Sequence, residues 1–362
     1  MKIRTLLLIS AIGATAIAAT AQTTQKLTAT KANEYGLIYS LPVTDIDITV
    51  ETIHTRRTPG EFYNYARRHL AIDNAIREAS TTVEIQSVTI STRGTADASE
   101  KWLVQFKSGS TPFMLLTPEG IPLTVNSETP AETTAPALPE AVPMQPSILE
   151  TEITRQAMTQ DMIRSSSTSK RAELAAARIF ELRDMRSEIL SGQSDNPPAD
   201  GQAMKLVLDN LAGQEEALTA MFAGTEQKWT TVSTISLRPD SRGINNEIIA
   251  RISPFDGILD ADNLAGAPLT VSVSVTSRGS LPVNEKGEVK RFPKGGFAYR
   301  IPGTALVTVN YQGREVASAE VSLAQLGVTF GIDPALFTDK KAPSQLRLAP
   351  ATGAILLLGP AD

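Results

Sequence analysis

The chain has 362 residues, 34 basic against 39 acidic side chains, and no cysteine. The missing cysteine excludes disulfides, thiol chemistry, thiolate metal centres and a lipid-carrying cysteine at a cleavage point. The net charge of −5 argues against nucleic acid or anionic lipid as the main partner, and the length allows roughly two domains.

The first element is a leader. Lys2 and Arg4 precede an apolar run from Leu6 to Ala19, and Ala19-Thr20-Ala21 places small residues where a signal peptidase reads. The run is shorter than the roughly 20 apolar residues of a spanning helix. Residues 1–21 are therefore expected to be a signal peptide. Its removal leaves 32 bases against 39 acids, a net charge of −7. The expected address is the periplasm or cell surface of a Gram-negative bacterium, with no transmembrane segment after cleavage.

Residues 22–126 read as an N-terminal α+β domain. Asp45 to Val50 alternates polar and apolar, a strand with one buried face. Val83 to Ile85 and Val88 to Ile90 continue one another with a phase slip, which predicts a bulge. Lys101 to Phe106 and Phe113 to Leu116 are further strands. Between the first two, Thr58-Pro59-Gly60-Glu61 has the pattern of a capping box, and Phe62, Ala66 and Leu70 share one helical face.

Residues 127–147 are a Pro-rich linker, extended by composition. Residues 148–224 are helical. Ala175, Ile179, Leu182 and Ile189 form one apolar stripe; Ala203, Val207, Leu211, Leu218 and Phe222 form another. The serine-rich run Ser165 to Ser169 predicts a break before the first long helix. Gly192 suits a left-handed helix end, and Pro197-Pro198 forbids continuation, so a long antiparallel helical hairpin is expected. Residues 225–362 read as a C-terminal β-sandwich-like domain. Its strands are Thr231–Leu237, Ile244–Ile252, Leu269–Val275, Ala305–Tyr311, Glu315–Val321, Gln345–Leu348 and Ala354–Leu358. The fold class is α+β, mainly β.

Several patterns imitate chemistry. Ser167-Thr168-Ser169-Lys170, Ser194-Asp195-Asn196 and Lys294-Gly295-Gly296 resemble the three elements of penicillin-recognising serine enzymes. The first two, however, flank one predicted helix and stand nearly 40 Å apart at about 1.5 Å per residue. His54, ending a strand, and His69, on a helix edge, lack the carboxylate pattern of a zinc site. Asp256, Asp260, Asp262 and Asn263 gather oxygen ligands that suit calcium, without EF-hand spacing, and an acidic turn is the simpler reading. Glu215-Glu216 reads as a solvated helix face. Arg56-Arg57 and Arg67-Arg68 make two basic pairs beside the first helix. Two tryptophans, Trp102 and Trp229, are few for a glycan platform.

Pro59-Gly60-Glu61-Phe62-Tyr63, Lys170 to Glu173, Ile179 to Arg183, the loop Gly192 to Gly201, Ala203 to Leu208, Leu218 to Gly224 and Thr352 to Leu356 resemble one family. It comprises exported Bacteroidota proteins described only as a domain of unknown function, and Phe180 departs from it where tyrosine is expected. The resemblance implies a cell-envelope protein and supplies no activity, cofactor or catalytic residue.

The expected function is therefore a non-catalytic structural or protein-interaction component, with no cofactor and an envelope protein as partner. The expected interaction tip is Ser194, Asp195 and Asn196. The alternatives are a carboxylate-dependent hydrolase acting on envelope glycans, or a small-ligand-binding module.

Overall fold

Two very long strands run through most of the molecule. β2 (Leu37–Thr58) and β3 (Ser80–Gln105) pair antiparallel almost end to end. The computed structural model describes residues 23–26, 36–105, 113–131, 136–194, 201–338 and 343–360. The chain is mainly β, 46% strand and 23% helix, with antiparallel sheets. The expected leader, residues 1–21, lies outside the described residues.

The remaining strands are β1 (Thr23–Lys26), β4 (Met114–Leu116), β5 (Pro122–Val125), β6 (Thr225–Leu237), β7 (Ile244–Ser253), β8 (Gly257–Leu259), β9 (Ala267–Ser277), β10 (Phe297–Tyr311), β11 (Arg314–Ile332), β12 (Ser344–Leu348) and β13 (Ile355–Pro360). They form three sheets, ordered β1-β3-β2-β6, β11-β10-β9-β7-β8 and β13-β12-β5-β4. The helices are α1 (Ala66–Leu70), α2 (Glu152–Ala157), α3 (Gln160–Arg164), α4 (Thr168–Ser191), α5 (Gln202–Ala223) and α6 (Ala335–Thr338).

β2 threads three cores. Near its start, Tyr39 and Leu41 pack with Val125, Phe297, Leu346 and Leu348 against the third sheet. In its middle, Ile46, Ile48 and Val50 meet Ile252, Val271, Val273, Val307 and Val309 of the second sheet. Its end reaches the helices, whose core joins Phe62 and Ala66 to Ile179, Leu182, Leu218 and Phe222. Each fully buried aliphatic or Phe side chain contributes about 1.5–3 kcal/mol. This makes the middle of β2 the most costly place to cut the fold.

The sheets interleave the expected units. β6, from the C-terminal segment, pairs with β2 along its whole length, and β12 pairs with β5. Segments 22–126 and 225–362 therefore share two sheets. A sequence pattern reveals a strand's buried face but not its hydrogen-bonding neighbour, so this pairing was invisible in the periodicity.

The expected bulge is present: the register slips between the Glu51/Ser87 and Thr52/Ile85 pairs, leaving Gln86 extra. The expectation of one buried face over Asp45 to Val50 needs correction. Asp45 and Thr49 on the other face are buried too. Partners from neighbouring strands fold over them. Arg238 donates to Asp45 through Nε at 2.6 Å and through a terminal nitrogen at 2.9 Å, and Thr49 shares a hydrogen bond with Thr234 at 2.9 Å.

The capping box is also overturned. Thr58 is the last residue of β2, paired with Thr225, and the helix that follows is a five-residue turn without a side-chain cap. The segment instead closes another helix. Phe62 N–H donates to Met221 O at 2.7 Å and Ile76 N–H to Ala223 O at 2.8 Å, satisfying carbonyls that the C-terminus of α5 leaves open. Only glycine fits at position 60, where a Cβ would stand 2.2 Å from Met221 O. Glu61 reaches across to Arg171 of α4 with both carboxylate oxygens, at 2.6 and 3.0 Å. The Pro-Gly-Glu-Phe-Tyr run is thus a clamp on the bases of both long helices.

Candidate functional site

α4 and α5 lie side by side, and their two halves differ. Ser167 starts α4, its hydroxyl accepting from Lys170 N–H at 3.4 Å, after the expected break at the end of α3. Ala172, Ala175, Ala176, Ile179 and Leu182, spaced three or four apart, then sink into the helical core. Beyond Leu182 no residue of α4 is fully buried among the described residues. Gly192 ends it at φ 70°, with Gln193 N–H donating to Glu188 O at 2.9 Å, a left-handed helix stop.

α5 mirrors this. Leu218, Met221 and Phe222 are buried at its C-terminal end, while its N-terminal end is open. Leu206 is 72% exposed and Leu190 of α4 is 64% exposed; Val207 and Phe180 are exposed as well. Ala203 and Val207, expected in an apolar stripe, are exposed among the described residues. The nine residues of α4 after Leu182, its last fully buried residue, add about 13 Å of helix.

A groove of about 720 Å³ lies at the base of the pair. Its walls are Arg183 and Arg186 of α4, Glu215 and Glu216 of α5, and the first residues of β6. Arg183 Nε donates to Glu215 at 2.7 Å, and Arg186 lies 3.6 Å from the same carboxylate. Glu215, expected on a solvated face, is half-buried beneath these two guanidiniums. Its neighbour Glu216 does face solvent.

The Pro-rich segment forms the groove's other wall. Its residues 136–147 form neither helix nor strand and follow the edge of β6. Thr230 N–H donates to Val142 O at 3.0 Å, and Gln227 donates to Gln145 O at 2.7 Å. This covers part of an edge that would otherwise present open backbone groups. Glu226, at the groove floor, is held below the usual carboxylate range by hydrogen bonds from Lys228 and Arg57.

The other sequence candidates are dispersed. Ser194 is half-buried after the end of α4, while Asp195 and Asn196 lie outside the described residues. Ser167 sits at the opposite end of the 24-residue α4, and Lys170 pairs with Glu173 at 3.0 Å. Lys294 belongs to a different region, before β10. The three imitation elements are not brought together.

His54 does not end its strand; it lies inside β2, buried, its ring stacked on Trp229 at 4.9 Å, and its Nε2 shares a hydrogen bond with Thr231 at 3.0 Å. Burial holds its imidazole below the ordinary histidine range. His69 contacts the rings of Tyr65 and Phe222. Asp256 accepts from Ser253 Oγ at 3.0 Å in the turn before β8, and Asp260 and Asp262 follow that strand. Among the described residues no three His, Cys, Asp or Glu side chains group as a metal site. The basic pairs are divided: Arg57 binds Glu226, Arg67 binds Asp73, and Arg56 lies over the Trp229 ring at 5.5 Å.

The buried ionic groups serve the architecture. Arg238 holds Asp45 below the usual carboxylate range, against the upward pull of burial, with help from Thr95. Asp97 is drawn upward by burial but held lower overall by Ser99 and Arg300. Arg300 donates to Asp97 at 2.7 Å, and its own backbone N–H donates to Gly353 O at 3.1 Å, which links β10 of the second sheet to the turn between β12 and β13.

No helix among the described residues is long and apolar enough to cross a membrane. Residues 35–356 match a family described as "Domain of unknown function (DUF4831)". No curated protein matches the chain, and no solved structure does.

Proposed function

The chain belongs to this family of unknown function (DUF4831), and we propose that it is a non-catalytic structural or protein-interaction component of a bacterial cell envelope. In this reading residues 1–21 direct export, and the mature protein works in the periplasm or at the surface of a Gram-negative bacterium, within the Bacteroidota. The two larger sheets act as a β-sandwich body. α4 and α5 act as a helical hairpin arm whose tip, from Ser194 through Asp195 and Asn196, and whose distal apolar face meet an envelope protein.

One observation carries the reading: the helices continue past their own core and leave Leu190 and Leu206 in water. Leucines held in water on a well-formed helix cost the fold free energy that a partner's apolar surface would recover. The test is affinity capture from cross-linked envelopes of the native bacterium. Wild type is compared with a variant carrying alanine at Ser194, Asp195 and Asn196 and serine at Leu190 and Leu206. The reading expects one stoichiometric protein with wild type and its loss from the variant. Equal capture by both would sink it.

A second reading, a small-ligand-binding module, is favoured by the groove at the hairpin base, whose volume suits a small molecule. Charge reversal Arg183→Glu would change binding of an anionic metabolite there and leave capture through the tip intact. The hydrolase alternative would need a carboxyl raised above its ordinary range. The carboxyls with resolved shifts, at Asp45, Asp97, Glu119, Glu173 and Glu226, are all lowered.

A further inference from the structure

Between β9 and β10 the chain leaves the second sheet as a small arm, residues 278–296. Its tip is fixed by backbone hydrogen bonds. Asn284 N–H donates to Glu288 O at 2.8 Å, Gly287 N–H to Asn284 O at 2.9 Å and Lys290 N–H to Pro282 O at 2.8 Å. The Asn284 side chain accepts from the N–H groups of Lys286 and Glu288, each at 2.9 Å. Its base is held by Phe292, stacked on Trp102 at 5.7 Å and edge-on to Phe330 at 6.1 Å. The arm is therefore preformed and would not have to be ordered on binding.

Two properties coincide on it. Val283 and Val289 face each other in an antiparallel bridge, so their side chains share one side, and they are 55% and 58% exposed. Leu281, two residues before Val283, is exposed too, and no residue from 280 to 292 is buried. The second property is charge. The arm carries five bases (Arg278, Lys286, Lys290, Arg291, Lys294) and two acids (Glu285, Glu288), a local net charge of +3 in a chain of −5. Lys286, Lys290, Arg291 and Lys294 are exposed and make no ion pair among the described residues, whereas Arg57, Arg93, Arg171 and Arg238 each have a carboxylate.

Unpaired cations call for an anionic partner. Apolar side chains on a protruding tip call for a yielding apolar medium, since a protein would need a hollow shaped to receive them. We propose that this arm docks the protein on an anionic phospholipid bilayer. Leu281, Val283 and Val289 enter the boundary between headgroups and acyl chains, and the four free cations lie at the level of the phosphates. The acidity of the rest of the surface keeps it away from the bilayer, so the arm also sets the protein's orientation. This surface is separate from the helix tip, and the proposal stands on its own observations.

The experiment is co-sedimentation of the mature chain, residues 22–362, with extruded vesicles. Phosphatidylglycerol mixed with phosphatidylethanolamine is compared with phosphatidylcholine. Binding to the anionic vesicles is expected to be at least tenfold tighter, and to weaken as salt rises from roughly 50 to 300 mM. Serine at Lys286, Lys290, Arg291 and Lys294 removes at least tenfold of the affinity. Val283→Ser with Val289→Ser weakens binding several-fold and leaves its salt dependence in place. An unchanged thermal midpoint certifies each variant, and the single substitutions Lys290→Ser and Arg291→Ser carry the test where the quadruple variant loses its fold. Absence of binding to phosphatidylglycerol vesicles overturns the proposal, and so does equal binding by the quadruple variant. Capture of an acidic protein by the arm without vesicle binding overturns it as well.

Discussion

The middle of β2 and the distal half of the helix pair are both apolar in sequence, yet the structure uses them oppositely. Ile46, Ile48 and Val50 are fully buried between two sheets, while Leu190 and Leu206 stand in water on helices that have already completed their own packing. Apolar periodicity therefore identifies a face that seeks cover, and says nothing about whether the cover comes from the same chain. In β2 it does. In the distal helices none of the described residues covers Leu190 or Leu206 fully.

Four predictions sharpen this contrast. The largest effect belongs to the cores. Phe222→Ala should lower stability by about 3–5 kcal/mol and Ile48→Ala by about 2–5 kcal/mol, against a change within about 0.5 kcal/mol for Leu206→Ala, all read by chemical denaturation. Comparable losses at all three positions would show that the distal helices are covered after all.

The clamp comes next. Gly60→Ala forces a Cβ onto the Met221 carbonyl and should cost about 2 kcal/mol. Glu61→Ala removes a partly exposed bidentate pair with Arg171, and about 1 kcal/mol is expected. A Gly60→Ala protein as stable as wild type would mean that the segment does not close α5.

Acid pH tests the polar face of β2. The folded Asp45 carboxyl titrates below its unfolded value of about 3.9. Its stabilisation is therefore fully present above that value and is lost as pH falls through the folded pKa. Asp45→Asn should be less stable than wild type at neutral pH, and the gap should close below pH ~3.9. A gap that persists unchanged in acid would remove the ionic pair with Arg238 as its cause.

The smallest effect is at His54. Its folded pKa is depressed by burial, so the unfolded chain takes up a proton first. Wild-type stability should fall as pH drops from about 6.5 towards the folded pKa, and His54→Gln should flatten that slope. Parallel pH profiles for the two proteins would place the histidine in water.

Much of the strand inventory was legible. Leu269 to Val275 alternates cleanly because one face of β9 meets the core and the other does not, and the slip between Ile85 and Val88 announced the bulge at Gln86. The serine run before α4 and Gly192 after it marked both ends of that helix. What stayed hidden depends on distant contacts. Thr58-Pro59-Gly60-Glu61 has the letters of a capping box, but β6 holds Thr58 in a strand, and α5 recruits the following N–H groups for its own carbonyls.

The candidate site was legible only in part. The end of α4 could be read from Gly192, while Pro197 and Pro198 lie outside the described residues. The groove could not be read, because Arg183 and Glu215 are 32 residues apart and meet only through the helix register. The arm at 278–296 carries no periodicity, and its exposed valines, beside cations that make no ion pair among the described residues, emerge only when the bridge between Val283 and Val289 is seen.

The distal helices are proposed as a contact surface, and site-directed cross-linking tests this most directly. The chain has no cysteine, so single cysteines can carry a photo-cross-linker at one chosen point. Leu206→Cys on α5 would be compared in native envelopes with Leu264→Cys, an equally solvent-facing leucine in the loop between β8 and β9. One adduct of defined mass is expected from position 206 and none from position 264. No adduct at 206, or the same adduct at equal yield from 264, would contradict it.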